Sequence, residues 1–141
     1  METRIYNALI LLLMLTFEAA AFESSNILES WRMGDDYVMF VNLKSRGIRV
    51  SKGCEKENLR CEVWKILKSV SMKVLTPQDL KGGKNPGASL CHKQKDTQVI
   101  FARNTKGKQA TFCLFPDGSM VDSGGLLIAA IKNDGKEGKK K

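Results

Sequence analysis

The sequence predicts an α+β protein in two parts: a small disulfide-stapled helix plus antiparallel hairpin module in the C-terminal half, preceded by a small hairpin–helix unit. Three observations carry that expectation. Cys91 and Cys113 bracket a strand–turn–strand pattern, and the second cysteine runs into Pro116-Asp117-Gly118-Ser119, where Pro fixes φ and Gly accepts a positive φ. Two runs of strand formers flank Ser45-Arg46-Gly47. Beyond them Leu59, Val63, Leu67 and Val70 recur at steps of four and three, the spacing of one helix face.

At the N-terminus, residues 5–17 (IYNALILLLMLTF) are almost wholly apolar, and Ala19 and Ala21 place small side chains at −3 and −1 for cleavage before Phe22. That is the layout of a secretory leader over residues 1–21. Its 13-residue apolar run falls short of the roughly 20 residues that span a bilayer. The mature chain is therefore expected to be periplasmic or secreted.

Within residues 22–80, positions 22–32 read as a short helix with Ile27, Leu28 and Trp31 on one side. Residues 37–51 read as a hairpin. The stripe from Glu55 onward, widened by Trp64 and Ile66, reads as an amphipathic helix of about four turns that ends before Pro77. Residues 81–84 (Lys-Gly-Gly-Lys) have the composition of a linker and mark a step in charge, which places a boundary there. The stapled module then occupies residues 85–133. Asn85 as N-cap and Pro86 at the first helical position open a short helix through Cys91. Residues 97–103 and 109–115 form the hairpin, residues 126–131 read as a short helix or, favoured by their position after the turn, a third strand, and residues 134–141 as a basic disordered tail.

Four cysteines in an exported chain point to two disulfides, and counting alone does not choose among their three pairings. The hairpin returns Cys113 beside the helix that bears Cys91, so those two are expected to pair. Closing that loop is worth about 3.4 kcal/mol on the chain-entropy account. Cys54 and Cys61 are harder to place. Seven residues of helix separate two Cα atoms by about 10 Å, beyond the roughly 7 Å a disulfide reaches. Either Cys54 lies in a loop folded back onto the helix, or the pairing is non-local.

No Cys-x2-Cys pair exists, so the thiols and His92 do not read as a zinc site, and neither metal nor other cofactor is expected. No catalytic residue is assigned. His92 is the only histidine, and its neighbour Cys91 is expected in a disulfide. Asp35-Asp36 fit a turn ahead of Tyr37, and no phosphate-cradling glycine loop opens a helix.

The chain carries +8, and loss of residues 1–21 with Glu2, Glu18 and Arg4 leaves +9. That charge is uneven, +2 over residues 22–80 and +7 over residues 81–141. A basic half suits an anionic partner, either anionic lipid or cell-wall polymer. The candidate contacts are Lys93, Lys95, Arg103, Lys106 and Lys108, in and around the hairpin. No nucleic-acid partner is expected, and the protein is expected to be a monomer.

Asn85-Pro-Gly-Ala-Ser-Leu-Cys91, a polar hairpin, Cys113-Leu-Phe-Pro-Asp-Gly-Ser119 and the acidic Asp122 soon after resemble a family of short bacterial envelope modules. That family shows Asn-Pro-Ala-x3-Cys and Cys-x2-Pro-Asp/Gly-Gly segments. Its members are often exported or lipid-anchored and are loosely labelled haemolysins. The likeness covers residues 85–133 and implies an envelope address and a stapled module. Gly87 stands at the family's usual Ala, and residues 122–130 replace its acidic–aromatic Glu-Trp-Ala stretch without a Trp. The function expected is an exported, non-catalytic binding or structural module of the bacterial envelope. The alternatives are a membrane-active or anionic-surface-binding, haemolysin-like protein, and an inhibitor of an envelope or secreted hydrolase.

Overall fold

In the computed structural model of the chain, which describes residues 26–57 and 60–138, the first element is a strand and not the expected helix. The leader, its cleavage point at Phe22 and residues 139–141 lie outside the described residues. Ile27, Leu28 and Trp31 fit one helix face, but period two also sorts this segment, with Glu29, Trp31 and Met33 on one side of β1 (Ile27–Met33). β1 pairs along its whole length with β2 (Asp36–Leu43), from Ile27 opposite Asn42 to Met33 opposite Asp36. A tight turn over residues 44–47 leads into β3 (Ile48–Ser51), so the expected hairpin is present.

β4 (Gln98–Asn104) and β5 (Gln109–Leu114) form the second hairpin, and β6 (Met120–Asp122) follows the Pro-Asp-Gly turn. The six strands close into an antiparallel barrel in the order β1-β2-β3-β6-β5-β4. Two seams make the closure. Trp31 and Arg32 of β1 pair with Asn104 and Arg103 of β4, and Val50 of β3 pairs with Val121 of β6. Each seam joins a strand from before residues 81–84 to one from after them. The expected stapled helix-plus-hairpin module with a separate hairpin–helix unit ahead of it is thereby overturned. Either half alone would leave unpaired strand edges, and closure removes them. Residues 81–84 are an exposed turn between two helices packed on this one barrel.

Phe40 and Phe112 lie on opposite walls, and their ring centroids meet 4.2 Å apart, which identifies the interior. Trp31 packs edge-on against Phe112 at 5.2 Å, and Ala102 completes the buried plug. A second apolar layer covers the outside of β3, β5 and β6, where Val50, Cys113 and Val121 meet Val63, Trp64, Leu90 and Leu126. Those last four come from the helices: α1 (Glu62–Ser69), α3 (Pro86–His92) and α4 (Ser123–Glu137), with a 3-10 turn (Met72–Val74) and α2 (Pro77–Leu80) between α1 and α3.

Three helical expectations change. Residues 126–131, a strand or a short helix by sequence with the strand favoured, lie in α4, because the Asp122 carboxylate accepts from Gly125 N and caps a helix at that point. The same helix runs through Asp134 to Glu137, into the expected tail. α1 starts only at Glu62, because a Cys54–Cys61 disulfide ties the preceding loop back onto its N-cap. This is the folded-back loop, with Cα atoms 5.9 Å apart. Cys91 and Cys113 form the second disulfide and pin α3 to β5. No helix among the described residues is long and apolar enough to cross a membrane.

The Pro-Asp-Gly-Ser turn has a second role. Cys61 brings no side-chain cap to α1, and the turn supplies one from 55 residues away. Asp117 Oδ2 accepts from Glu62 N at 2.7 Å, and Ser119 Oγ accepts from Val63 N at 3.2 Å. Burial pushes the Asp117 carboxyl up, but the amides of Glu62 and Ser119 and the Ser119 hydroxyl outweigh it and hold the group low. At the other end of α1, the Asn133 amide donates to the carbonyls of Leu67 and Val70. α1 is thus capped from two distant segments.

Candidate anionic-surface site

The helices leave part of the barrel wall bare. On β1, Leu28, Ser30 and Arg32 point away from the plug, and on β4, Phe101 and Arg103 do the same. Cross-strand register aligns four exposed side chains in one row. Tyr37 on β2 stands opposite Arg32 on β1, Arg32 opposite Arg103 on β4, and Arg103 opposite Gln109 on β5. Two residues along β4 from Arg103, Phe101 is 78% exposed, while Tyr37 is 65% and Leu28 51% exposed. The sheet surface thus carries Phe101 and Tyr37 into solvent beside two arginines, with Leu28 about four residues further along β1, a composition more common at interaction faces than at solubilising ones.

Directly opposed like charges destabilise a strand pair. Neither Arg32 nor Arg103 forms an ion pair among the described residues, and the acidic Asp35-Asp36 turn beside them reaches neither. The face therefore presents a cation pair that an anion relieves.

Of the five cations expected to act together, the structure gathers three and separates two. Arg103 belongs to this row. Lys106 and Lys108 sit in the turn that follows, where Asn104 Oδ1 accepts from both of their backbone N–H groups at 3.0 and 2.9 Å and fixes the turn. Lys93 and Lys95 lie beyond the other end of β4; Gln98 and Arg103 alone are about 17 Å apart along the strand. Lys93 is also engaged, its Nζ 3.0 Å from Asp79 Oδ2. The Thr76 amide, Lys93 and the Thr76 hydroxyl hold the Asp79 carboxyl at about 2. Lys95 is exposed next to Asp96.

Sequence reading missed Arg32, Tyr37 and Phe101. Taking residues 22–32 as helix removed Arg32 from any sheet, and only the β1–β4 seam brings it beside Arg103. Phe101 did carry a signal: in the alternation of residues 98–104 it shares a face with Arg103 and Val99.

His92 is exposed at the end of α3, and Cys91 is buried in its disulfide. Comparison with protein-family models, with curated proteins and with solved structures found no match.

Proposed function

We propose that the protein is an exported, non-catalytic binding module of the bacterial envelope, and that its bare β1–β4 face docks on an anionic lipid surface. The observation that carries this reading is the opposed pair Arg32 and Arg103, free of acidic partners among the described residues, flanked by exposed Phe101 and Tyr37. Arginine stems bury along apolar material while the guanidinium stays at headgroup level, and aromatic rings settle at the same depth. Lys106 and Lys108 extend the cationic border. Two disulfides are consistent with an oxidising compartment. The leader-like residues 1–21 and the resemblance of residues 85–133 to envelope modules support a periplasmic or secreted address. Docking of a rigid barrel face implies adsorption without pore formation, so the haemolysin label is read as surface binding.

Co-sedimentation of the mature protein with lipid vesicles tests the reading. Salt-sensitive binding to anionic vesicles, little binding to neutral ones and no leakage are expected. Equal binding to both vesicle types, or retention by anionic cell-wall polymer with none by vesicles, would overturn it.

A further inference from the structure

At one end of the barrel the start of β1 and the β4–β5 turn flank a cleft of about 460 Å³ that reaches Arg49 at the start of β3. Arg49 forms its floor and is held from three sides. Its Nε donates to Glu29 Oε2 at 2.8 Å, its Nη1 lies 3.8 Å from Asp122 Oδ2, and its Cζ stands 5.9 Å from the Trp31 ring centroid. Glu29 is itself fixed, accepting from Asn42 Nδ2 at 2.8 Å and Trp31 Nε1 at 3.1 Å. Burial pushes the Glu29 carboxyl up, but the bonds from Asn42, Arg49 and Trp31 prevail and keep it below its ordinary value. Asp122 is anchored by Arg49 N at 2.5 Å and by Gly125 N.

A guanidinium clamped in this way has already lost its rotamer freedom. With Nε taken by Glu29, an oxyanion that reaches it meets the Nη donors already fixed in place and costs less to bind than at a mobile surface arginine. Above the floor, the Asn104-braced turn holds Lys106 and Lys108 at the rim, and neither has an ion pair among the described residues. Three cations thus face two carboxylates, Glu29 in the lining and Asp122 beside Arg49, so the excess positive charge comes from the Lys106/Lys108 rim. Ile27 adds an apolar wall.

We infer that this barrel mouth binds a small ligand bearing a carboxylate or phosphate, with the oxyanion between Arg49 and the Lys106/Lys108 rim and its apolar part against Ile27. The mouths of small β-barrels are common ligand sites. The site shares Lys106 and Lys108 with the border of the β1–β4 docking face, and its floor, Arg49, is its own.

The test titrates ¹⁵N-labelled mature protein with acetate and, in parallel, with inorganic phosphate at constant ionic strength. Saturable shifts of the Trp31 indole and Asn104 side-chain resonances are expected, and the anion with the lower midpoint identifies the head group. The Lys106→Gln/Lys108→Gln variant alters side chains that face solvent and is expected to raise the midpoint at least fivefold. Arg49→Lys keeps the charge without the fork and is expected to raise it at least tenfold. Arg32→Gln/Arg103→Gln is expected to leave it unchanged, which separates this site from lipid docking. Shifts that rise linearly and equally at surface lysines such as Lys93 and Lys95, or a midpoint that the rim variant does not move, would overturn the inference.

Discussion

A methyl group placed on Gly87 would stand 1.9 Å from the carbonyl oxygen of Ser123 and 2.6 Å from its carbonyl carbon. The first turns of α3 and α4 meet at this point, and the neighbour is backbone, which cannot rotate out of the way. Glycine is required here by close approach rather than by its φ. Gly87→Ala is expected to separate the two helices and to cost about 3 kcal/mol, the upper part of the overpacking range. For a chain of this size that lowers Tm by about 10 °C. Thermal and urea unfolding of the purified variant measure it, and an unchanged midpoint would refute the packing argument.

Gly135 lies in the same helix and predicts the opposite sign. A Cβ there meets nothing within 4 Å, and the backbone is helical. Gly135→Ala removes unfolded-state freedom without strain and is expected to stabilise by about 0.5–1 kcal/mol. A lower urea midpoint in this variant would show that the end of α4 does not contribute to the folded state as drawn.

The two disulfides differ in loop length and setting. Cys91 and Cys113 are fully buried and join α3 to β5, whereas Cys54 and Cys61 close a short loop ahead of α1. Paired substitution of Cys91 and Cys113 by Ala is expected to cost about 3 kcal/mol or more. The same change at Cys54 and Cys61 is expected to cost about 2.5 kcal/mol and chiefly to loosen the start of α1. Denaturant unfolding of the two double variants ranks them, and the reverse order would contradict the packing described.

The sequence made local structure legible wherever one short signal was decisive. Asn85 and Pro86 start α3, Gly118 turns the chain at φ +82°, and the strands around residues 44–47 and 105–108 pair as their composition indicates. What it hid was non-local. The barrel depends on seams between Arg32 and Arg103 and between Val50 and Val121, and no periodicity records which strands become neighbours. β1 was ambiguous because Ile27, Leu28 and Trp31 satisfy a helical spacing, and only the full-length partner in β2 settles it as a strand. α4 did carry a cue, Asp122 three residues before Gly125, but two glycines in its first turn obscured it. The candidate face was invisible for the same reason as the barrel: Lys106 and Lys108 were readable as a basic hairpin tip, whereas Arg32 joins Arg103 only through closure.

Asp79 and Asp122 make stability respond to pH in opposite directions. The bonds from Thr76 and Lys93 hold the Asp79 carboxyl at about 2, below its unfolded value. Its contribution is therefore present above about pH 4 and is lost as pH falls toward 2. Burial raises the Asp122 carboxyl, against the amides of Arg49 and Gly125 and the charge of Arg49. Its ionised form is the costlier one in the folded state, so stability from this group declines as pH rises through its raised value. Urea midpoints between pH 2 and pH 7 are expected to show the advantage of wild type over Asp79→Asn shrinking as pH falls below 4. Relative to wild type, Asp122→Asn is expected to improve as pH rises above 4. Stability curves parallel to wild type in either variant would contradict the assigned direction.

Vesicle binding separates the charged and apolar parts of the proposed docking face. Each cation near an acidic membrane surface contributes about 1 kcal/mol, so Arg32→Gln/Arg103→Gln is expected to lower the partition coefficient on anionic vesicles by about 30-fold at low salt. Phe101 acts by burial. With roughly half its ring entering the interface, Phe101→Ser is expected to lose about 1.5 kcal/mol, or about tenfold. The two effects respond differently to ionic strength. Exposed charges are screened within about 10 Å at 0.1 M salt and within about 3 Å at 1 M, so the arginine effect fades as salt rises while the Phe101 effect persists. None of the three side chains belongs to the buried plug, and both variants are expected to unfold within about 0.5 kcal/mol of wild type. If Phe101→Ser leaves partitioning unchanged at every salt concentration, the exposed ring does not enter the bilayer. If Arg32→Gln/Arg103→Gln binds as wild type does at low salt, the opposed arginines do not meet lipid phosphate.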